Sequence, residues 1–235
     1  MHNFSESIAG KNSCISESHN ATSASSFPHI RRYSPGGVIF SQGEHRNTCL
    51  QVMQGAVRRC RYSADGTRQV IGFAIAGDVI GLEEGDWDET AEAVTEVLLS
   101  PLEKAEGHGR ASGNAALLRQ GLGEALQTLA MLGRRTAVER LAAFLLHFAD
   151  RTGQGATIDL PMSREDIADH LGINMHTASR AFSQLIRCGF IELDGPHCVC
   201  VRQPGQLGLL AGQSDCDELP PARPGRTLVH AGIRP

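Results

Sequence analysis

No apolar run in this chain approaches the ~18 residues that a membrane-crossing helix needs, so the sequence predicts no membrane partner. The opening stretch MHNFSESIAGKNSCISESHNATSASS has no compact apolar segment after a basic start, and no secretory signal is expected there. Positive charge is not in excess: 22 Lys and Arg against 26 Asp and Glu leave a net charge of −4. That excludes a generic polyanion binder, so any nucleic-acid site has to be a local concentration of positive charge. Paired cysteines are lacking too. The seven cysteines (14, 49, 60, 188, 198, 200 and 216) are odd in number and scattered, which argues against a disulfide framework and for free thiols in a cytoplasmic protein. Enzyme signatures are missing: there is no Gly-x-Ser-x-Gly elbow, no P-loop, no complete Gly-x-Gly-x-x-Gly and no His-Glu-x-x-His helix. The ten histidines are dispersed, and His108 in GHGR reads as a loop histidine.

What remains is ordinary in composition, with 41% hydrophobic and 20% charged residues. A length of 235 residues suggests two compact units with tails. Residues 1–27 are expected to form a disordered Ser-rich arm, and 211–235, with Pro220, Pro221 and Pro224, a disordered tail. Over 28–113, short β-type runs alternate with turn chemistry, as in AVRRCRY, SADGT and RQVIGFAI. Asp65-Gly66 suits a tight hairpin. In AEAVTEVLL, residues Ala91, Ala93, Thr95 and Val97 fall on one face of a single strand. Many short strands with regular turns predict an antiparallel roll or barrel.

The period then becomes helical. Leu118, Leu122, Ala125, Leu129, Leu132 and Thr136 follow alternating steps of four and three, a narrow stripe suited to a helix-helix seam between two copies; simple packing on the roll is the alternative. This helix is expected over 114–135, loosened by Gly133. A second amphipathic segment carries Val138, Leu141, Leu145 and Phe148, until Gly153 and Gly155 interrupt it.

LPMSREDIADHLGINMHTASRAFSQLIRCGFIELDG holds two helix starts. Ser163 caps one, with Asp166 completing a capping box and Met162 stapling onto Ile167. Gly172 ends that helix and Asn174 caps the next, whose buried side is Ala178, Phe182, Leu185 and Ile186. FIELDGPHCVCV alternates and turns at Asp194-Gly195 like a wing, so 136–210 reads as a winged helix-turn-helix. The whole is therefore an α+β chain. His176, Thr177, Ser179 and Arg180 open the second helix, where arginine can pair with guanine O6 and N7 and a hydroxyl with several base edges. Between residues 134 and 203, eight basic and eight acidic residues balance, yet 174–191 contains Arg180, Arg187 and His176 and no acid. Ser163 and Arg164 are candidates for phosphate contacts, which position without specifying sequence. An amphipathic helix with a merely solvated face, in a protein-interaction module without DNA binding, is the other reading.

Roll, long helix and winged helix-turn-helix, in that order over about 28–210, resemble the CRP/FNR superfamily of transcription regulators. LPMSREDIADHLG followed by TASR is similar to its FNR and FixK branch. The resemblance implies a cyclic-nucleotide-binding-like jelly roll and a homodimer that binds double-stranded TTGAnnnnnnTCAA sites of low-oxygen or nitrogen-fixation genes and touches RNA polymerase. Of the branch's Glu-x-x-Ser-Arg motif, Ser179 and Arg180 match, while His176 stands at the glutamate position. A carboxylate accepts from cytosine N4; a neutral imidazole offers one acceptor, so an altered half-site is expected. Where cyclic-nucleotide-responsive members place a phosphate-binding arginine, the chain has Asp88, Glu89 and Thr90, which predicts no cAMP. An iron-sulfur cluster held near the N-terminus would need three thiolates there, and only Cys14 is present. No cofactor is therefore expected, with FixK-type regulators as the nearest pattern and an unrecognised effector as the alternative. Cys188, beside Arg187 at the end of the recognition helix, is a redox candidate, since oxidation would put negative charge near DNA phosphates. Cys198 and Cys200 share a strand face; with His197 they supply only three soft ligands and read as core residues rather than a zinc site.

Overall fold

The computed structural model describes residues 30–45, 48–82, 85–102 and 111–212. The expected arm over 1–27, His108 and the tail from residue 213 onward lie outside the described residues. The chain first builds two four-stranded antiparallel sheets from β1 (Arg31–Tyr33), β2 (Val38–Phe40), β3 (Cys49–Gln54), β4 (Ala56–Tyr62), β5 (Arg68–Ile75), β6 (Val79–Ile80), β7 (Thr90–Ala93) and β8 (Val97–Leu102). The strand orders are β1-β8-β3-β6 and β2-β7-β4-β5. Between them lie Phe40, Leu50, Val52, Val57, Ile80, Ala91, Ala93, Val97 and Leu99, with Phe40 stacked on Trp87 at 3.8 Å between ring centroids.

The expected β4/β5 hairpin closes at Asp65-Gly66, where Thr67 N donates to Asp65 Oδ1 at 3.0 Å. AEAVTEVLL is not one strand. It breaks at Val94–Glu96, so that β7 lies in one sheet and β8 in the other. Inward alternation survives on both sides of the break, which is why the sequence pattern concealed it. Ala56 N donates to Thr95 Oγ1 at 3.0 Å and Val94 N to Ala56 O at 2.8 Å, tying the corner to the start of β4. Gly55 makes this possible: its φ is +89°, and a Cβ there would lie 2.2 Å from the Glu96 carbonyl oxygen.

Helix α1 (Ala111–Leu132) follows, then α2 (Ala137–Thr152). Thr136 does not extend the α1 stripe. It is the N-cap of α2, accepting from Glu139 N at 3.2 Å while Glu139 reaches back to Thr136 N. Gly153, at φ +62°, ends α2. The rest comprises β9 (Thr157–Asp159), α3 (Arg164–His170), α4 (Met175–Arg187), β10 (Ile191–Leu193), β11 (Cys198–Val201) and α5 (Pro204–Leu210). β10 and β11 pair antiparallel around Asp194-Gly195, and β9 adds a third strand beside β11.

A second core joins this unit to the roll. Cys60, Val70 and Phe73 from β4 and β5 pack in one cluster with Leu141, Phe144, Leu145 and Phe148 of α2, Ile167 of α3 and Leu185 of α4. At ~1.5–3 kcal/mol for each fully buried side chain of this size, the seam between the two units is a substantial part of the fold. His170 is buried at its edge, edge-on to Phe73 and Phe144, with Nδ1 3.3 Å from the Val70 carbonyl oxygen. Burial holds its pKa below the usual histidine value, and burial does the same to His147 on α2. Because the folded values are depressed, the unfolded chain takes up these protons first on acidification. The stability they contribute is full above about 6.5, the unfolded value, and is lost as pH falls through the folded values. Lowering the pH from about 7.5 to about 5.5 is expected to lower the Tm, and His170→Leu to make the fall smaller. Equal pH slopes in the parent and the variant would refute this.

Candidate nucleic-acid interface

The two helices of the turn are cut to length by their caps. Ser163 accepts from Asp166 N at 3.0 Å and starts α3; Asn174 accepts from Thr177 N at 2.8 Å and starts α4. Gly172 takes φ +63° between them, and Ile173 N closes the turn onto Ala168 O at 3.0 Å. The capping box expected at Ser163 is only half formed. The Asp166 carboxylate instead turns to the roll, where Arg58 Nη1 donates to Oδ1 at 2.6 Å. A guanidinium is a stronger partner for a buried carboxylate than a backbone amide.

Along α4, Ala178, Ala181, Phe182 and Leu185 are buried. Ile186, expected on that side, is 38% exposed, because it lies about 100° around the helix from Leu185. The opposite face presents His176, Ser179 and Arg180, with Thr177 half-buried at its edge. The same face continues through Ser183 and Arg187, both exposed. Neither was singled out from sequence as a base contact, although His176, Arg180, Ser183 and Arg187 follow steps of four, three and four. Ser183 donates to Ser179 O at 2.9 Å.

Ser163 and Arg164 sit at the start of α3. Ser163 is exposed, and its hydroxyl proton stays available for a phosphate because its oxygen serves the cap as an acceptor. The Arg164 guanidinium lies over the Phe182 ring, 3.5 Å from its centroid. Stacking uses the face of the guanidinium and leaves its in-plane donors for other partners.

Electrostatics around this surface differ from the balance of residues along the chain. Asp166 and Asp169 of α3 are bound by Arg58 and Arg68 of the roll, Arg68 Nη2 to Asp169 Oδ2 at 2.6 Å. Two of the eight acids counted for this unit are thus matched by cations from outside it. On the wing, Arg202 Nε donates to Glu192 at 2.8 Å, and the His197 ring bonds the Leu160 carbonyl oxygen at 3.0 Å. Cys198 and Cys200 are not core residues. Val199 and Val201 take the inward face of β11, and the two thiols lie half-buried on the other, Cys200 4.0 Å from Thr157 Oγ1. Cys188 is exposed as the C-cap of α4.

In the roll, Glu89 is 1% exposed, and Arg59 grips it with Nε–Oε1 and Nη2–Oε2 both at 2.7 Å. Arg61 lies 3.3 Å from Asp88. This face of the roll opens on a cleft of about 680 Å³ between β-strands and α1, also bordered by Phe144, His147 and His170. On α1, Leu118, Leu122, Ala125 and Leu129 are exposed and border this cleft, and Leu132 is half-buried. Leu126 is exposed as well, an addition to the stripe read from the sequence.

A model of the Crp-like helix-turn-helix domain matches residues 139–210, and a model of the cyclic nucleotide-binding domain matches residues 30–106. The chain is 38% identical over 179 residues to the nitrogen fixation regulation protein FixK of Rhizobium meliloti, covering 76% of this chain and 85% of that protein. To FixK of Bradyrhizobium diazoefficiens it is 34% identical over 205 residues, covering 81% and 86%. Among solved structures, FixK2 from Bradyrhizobium japonicum superimposes with a TM-score of 0.73 at 32% identity, covering 78% of this chain and 97% of that one. Identity at this level, with both domain models matched in the order in which the roll and the winged unit occur, shows that the chain belongs to the CRP/FNR family of transcription regulators.

Proposed function

We propose that this regulator acts as a homodimer, reads TTGAnnnnnnTCAA-like sites through α4 and needs no bound effector to do so. The observation that carries the reading is the state of Arg180. Arg58, Arg59, Arg61, Arg68, Arg151 and Arg202 each face a carboxylate, whereas Arg180, like Arg187 on the same helix face, has no ion pair among the described residues and lies exposed in the first turns of α4. A guanidinium held out in that way is matched to guanine O6 and N7. Ser179 contacts the neighbouring base, His176 and Thr177 flank them, and Ser163 and Arg164 hold the phosphates. The names of the two FixK relatives support targets among nitrogen-fixation genes. A relative from Rhodopseudomonas palustris named a transcriptional activatory protein, 32% identical, supports a role as an activator. The buried Glu89 carboxylate, already engaged by Arg59, argues against a cyclic phosphate at that place in the roll. No described helix is long and apolar enough to cross a membrane.

The test is fluorescence-anisotropy titration of the reduced protein, without added ligand, against a TTGAnnnnnnTCAA duplex and a scrambled one at fixed salt. Sequence preference without effector is expected; equal binding to both duplexes would refute it. Cys188, exposed at the end of α4, favours a redox-sensitive variant of the reading. In that case peroxide weakens binding by the parent and leaves Cys188→Ser unaffected.

A further inference from the structure

Two arginines of the roll reach across to the first helix of the DNA-binding unit. Arg58 on β4 and Arg68 on β5 point outward from their sheet, and α3 presents Asp166 and Asp169 to them. Arg58 Nη1 lies 2.6 Å from Asp166 Oδ1, Arg68 Nη2 3.3 Å from the same oxygen and 2.6 Å from Asp169 Oδ2. Glu92, opposite Arg58 on β7, anchors Arg58 from the other side through its Nε at 3.1 Å. Asp166 is buried. Burial works against the charged Arg58 guanidinium, yet its hydrogen bonds to Glu92 and Asp166 raise its pKa overall, so Arg58 stays charged. Sliding α3 along the roll would leave the buried Asp166 carboxylate without its cations while Arg58 kept only Glu92, a cost that an apolar seam alone would not impose. The apolar seam of Val70, Phe73 and Ile167 lets surfaces adjust, whereas paired charges define one register.

We propose that Arg58 and Arg68 are positioning residues for DNA recognition. Through Asp166 and Asp169 they fix α3, and with it α4, relative to the roll and α1, and so set the separation of the two recognition helices in a dimer. The proposal rests on reading α4 as the base-contacting helix and α1 as the dimer seam. In such a dimer, half-site spacing follows from the geometry with which each helix-turn-helix is held. The contact does not lie on the DNA-facing side of α4, so its effect on binding is one of placement.

The test uses the full chain and a series of palindromic duplexes whose half-sites are moved apart or together by one or two base pairs. The parent is expected to prefer one spacing by about tenfold or more. In Arg58→Gln/Arg68→Gln that preference falls to about threefold or less, while discrimination against a scrambled duplex is kept. Removing the guanidiniums also unmasks two carboxylates, so Asp166→Asn/Asp169→Asn is the second variant: it loses the same clamp without adding negative charge, and it should flatten the spacing preference alike. An unchanged spacing preference in either folded variant, or a proportional loss on every duplex, would overturn the proposal. Hydrogen exchange of the Ile167–His170 amides in the DNA-free protein supplies the independent readout. It should quicken in both variants; unchanged exchange would also overturn the clamp. If the parent shows no sequence preference at all, the reading of α4 fails, and the exchange result then decides the clamp by itself.

Discussion

Arg180→Ala is expected to weaken binding to a paired TTGAnnnnnnTCAA duplex by about 1–3 kcal/mol per half-site, with both half-sites of a dimer affected, and to leave binding to scrambled DNA nearly unchanged. The guanidinium is exposed and makes no ion pair among the described residues, so nothing in the fold should miss it, and the folding stability should stay within about 0.5 kcal/mol of the parent. Its loss removes up to two hydrogen bonds to a base edge and lowers the local positive charge by one, of which the first carries the sequence information. Arg164→Ala should behave differently. Its guanidinium stacks on Phe182 at the edge of the interface, so all duplexes should lose affinity together, with a shallower salt dependence. Anisotropy titrations at two salt concentrations separate these patterns. Loss of affinity for both duplexes in equal measure on Arg180→Ala would rule out base reading by this residue.

Replacing Leu122 and Leu129 together by glutamate is expected to convert a dimer into a monomer. Leu118, Leu122, Leu126 and Leu129 are 57%, 60%, 56% and 65% exposed along one side of α1. A single exposed leucine is unremarkable, but four within three turns of one helix form a continuous apolar strip that the isolated chain leaves in water. Covered by a second copy, each buried leucine contributes up to ~1.5–3 kcal/mol, and the four leucines altered in a dimer therefore carry most of a stable seam. Glutamates facing their own symmetry mates would add repulsion. Sedimentation should then give the 25.2 kDa mass of one chain, while thermal stability of the monomer is preserved because the replaced side chains were exposed. Affinity for the paired site should drop about 10²- to 10⁴-fold through loss of the second half-site contact. A sedimentation profile identical to that of the parent would mean that α1 does not form the seam.

Local signals carried much of the fold. The caps at Ser163 and Asn174, the stops at Gly172 and Gly189, and the hairpins at Asp65-Gly66 and Asp194-Gly195 are read from residue types within four positions of one another, and each is formed. The α4 face could be read for the same reason: helical periodicity places His176, Ser179 and Arg180 together whatever surrounds them. Errors arose where a local pattern admitted two readings. Thr136 continued the α1 spacing yet serves as the cap of α2, and the Val94–Glu96 corner keeps the alternation of a strand while changing sheets. Cys198 and Cys200 were placed in the core because strand alternation gives two faces without saying which is inward; Val199 and Val201 took that side. β9 and α5 were missed, being only three and seven residues long, with Gly205 and Gly208 inside α5.

By itself, then, the sequence determined the succession of roll, long helix and winged helix-turn-helix, and the side chains that face outward at the start of α4, since both follow from short-range periodicity and turn chemistry. Tertiary structure alone decided what becomes of the charges. By local pattern Asp166 is half of a capping box and Arg58 one residue of a strand, 108 positions apart. Only folding brings them within hydrogen-bond reach. Coulombic attraction acts through space, so a count of charges along 134–203 gave zero where the folded domain has two of its acids neutralised by the roll. The winged unit carries fewer uncompensated acids than its own segment implied, and the residues that pair it with the roll are ones that no local pattern connects.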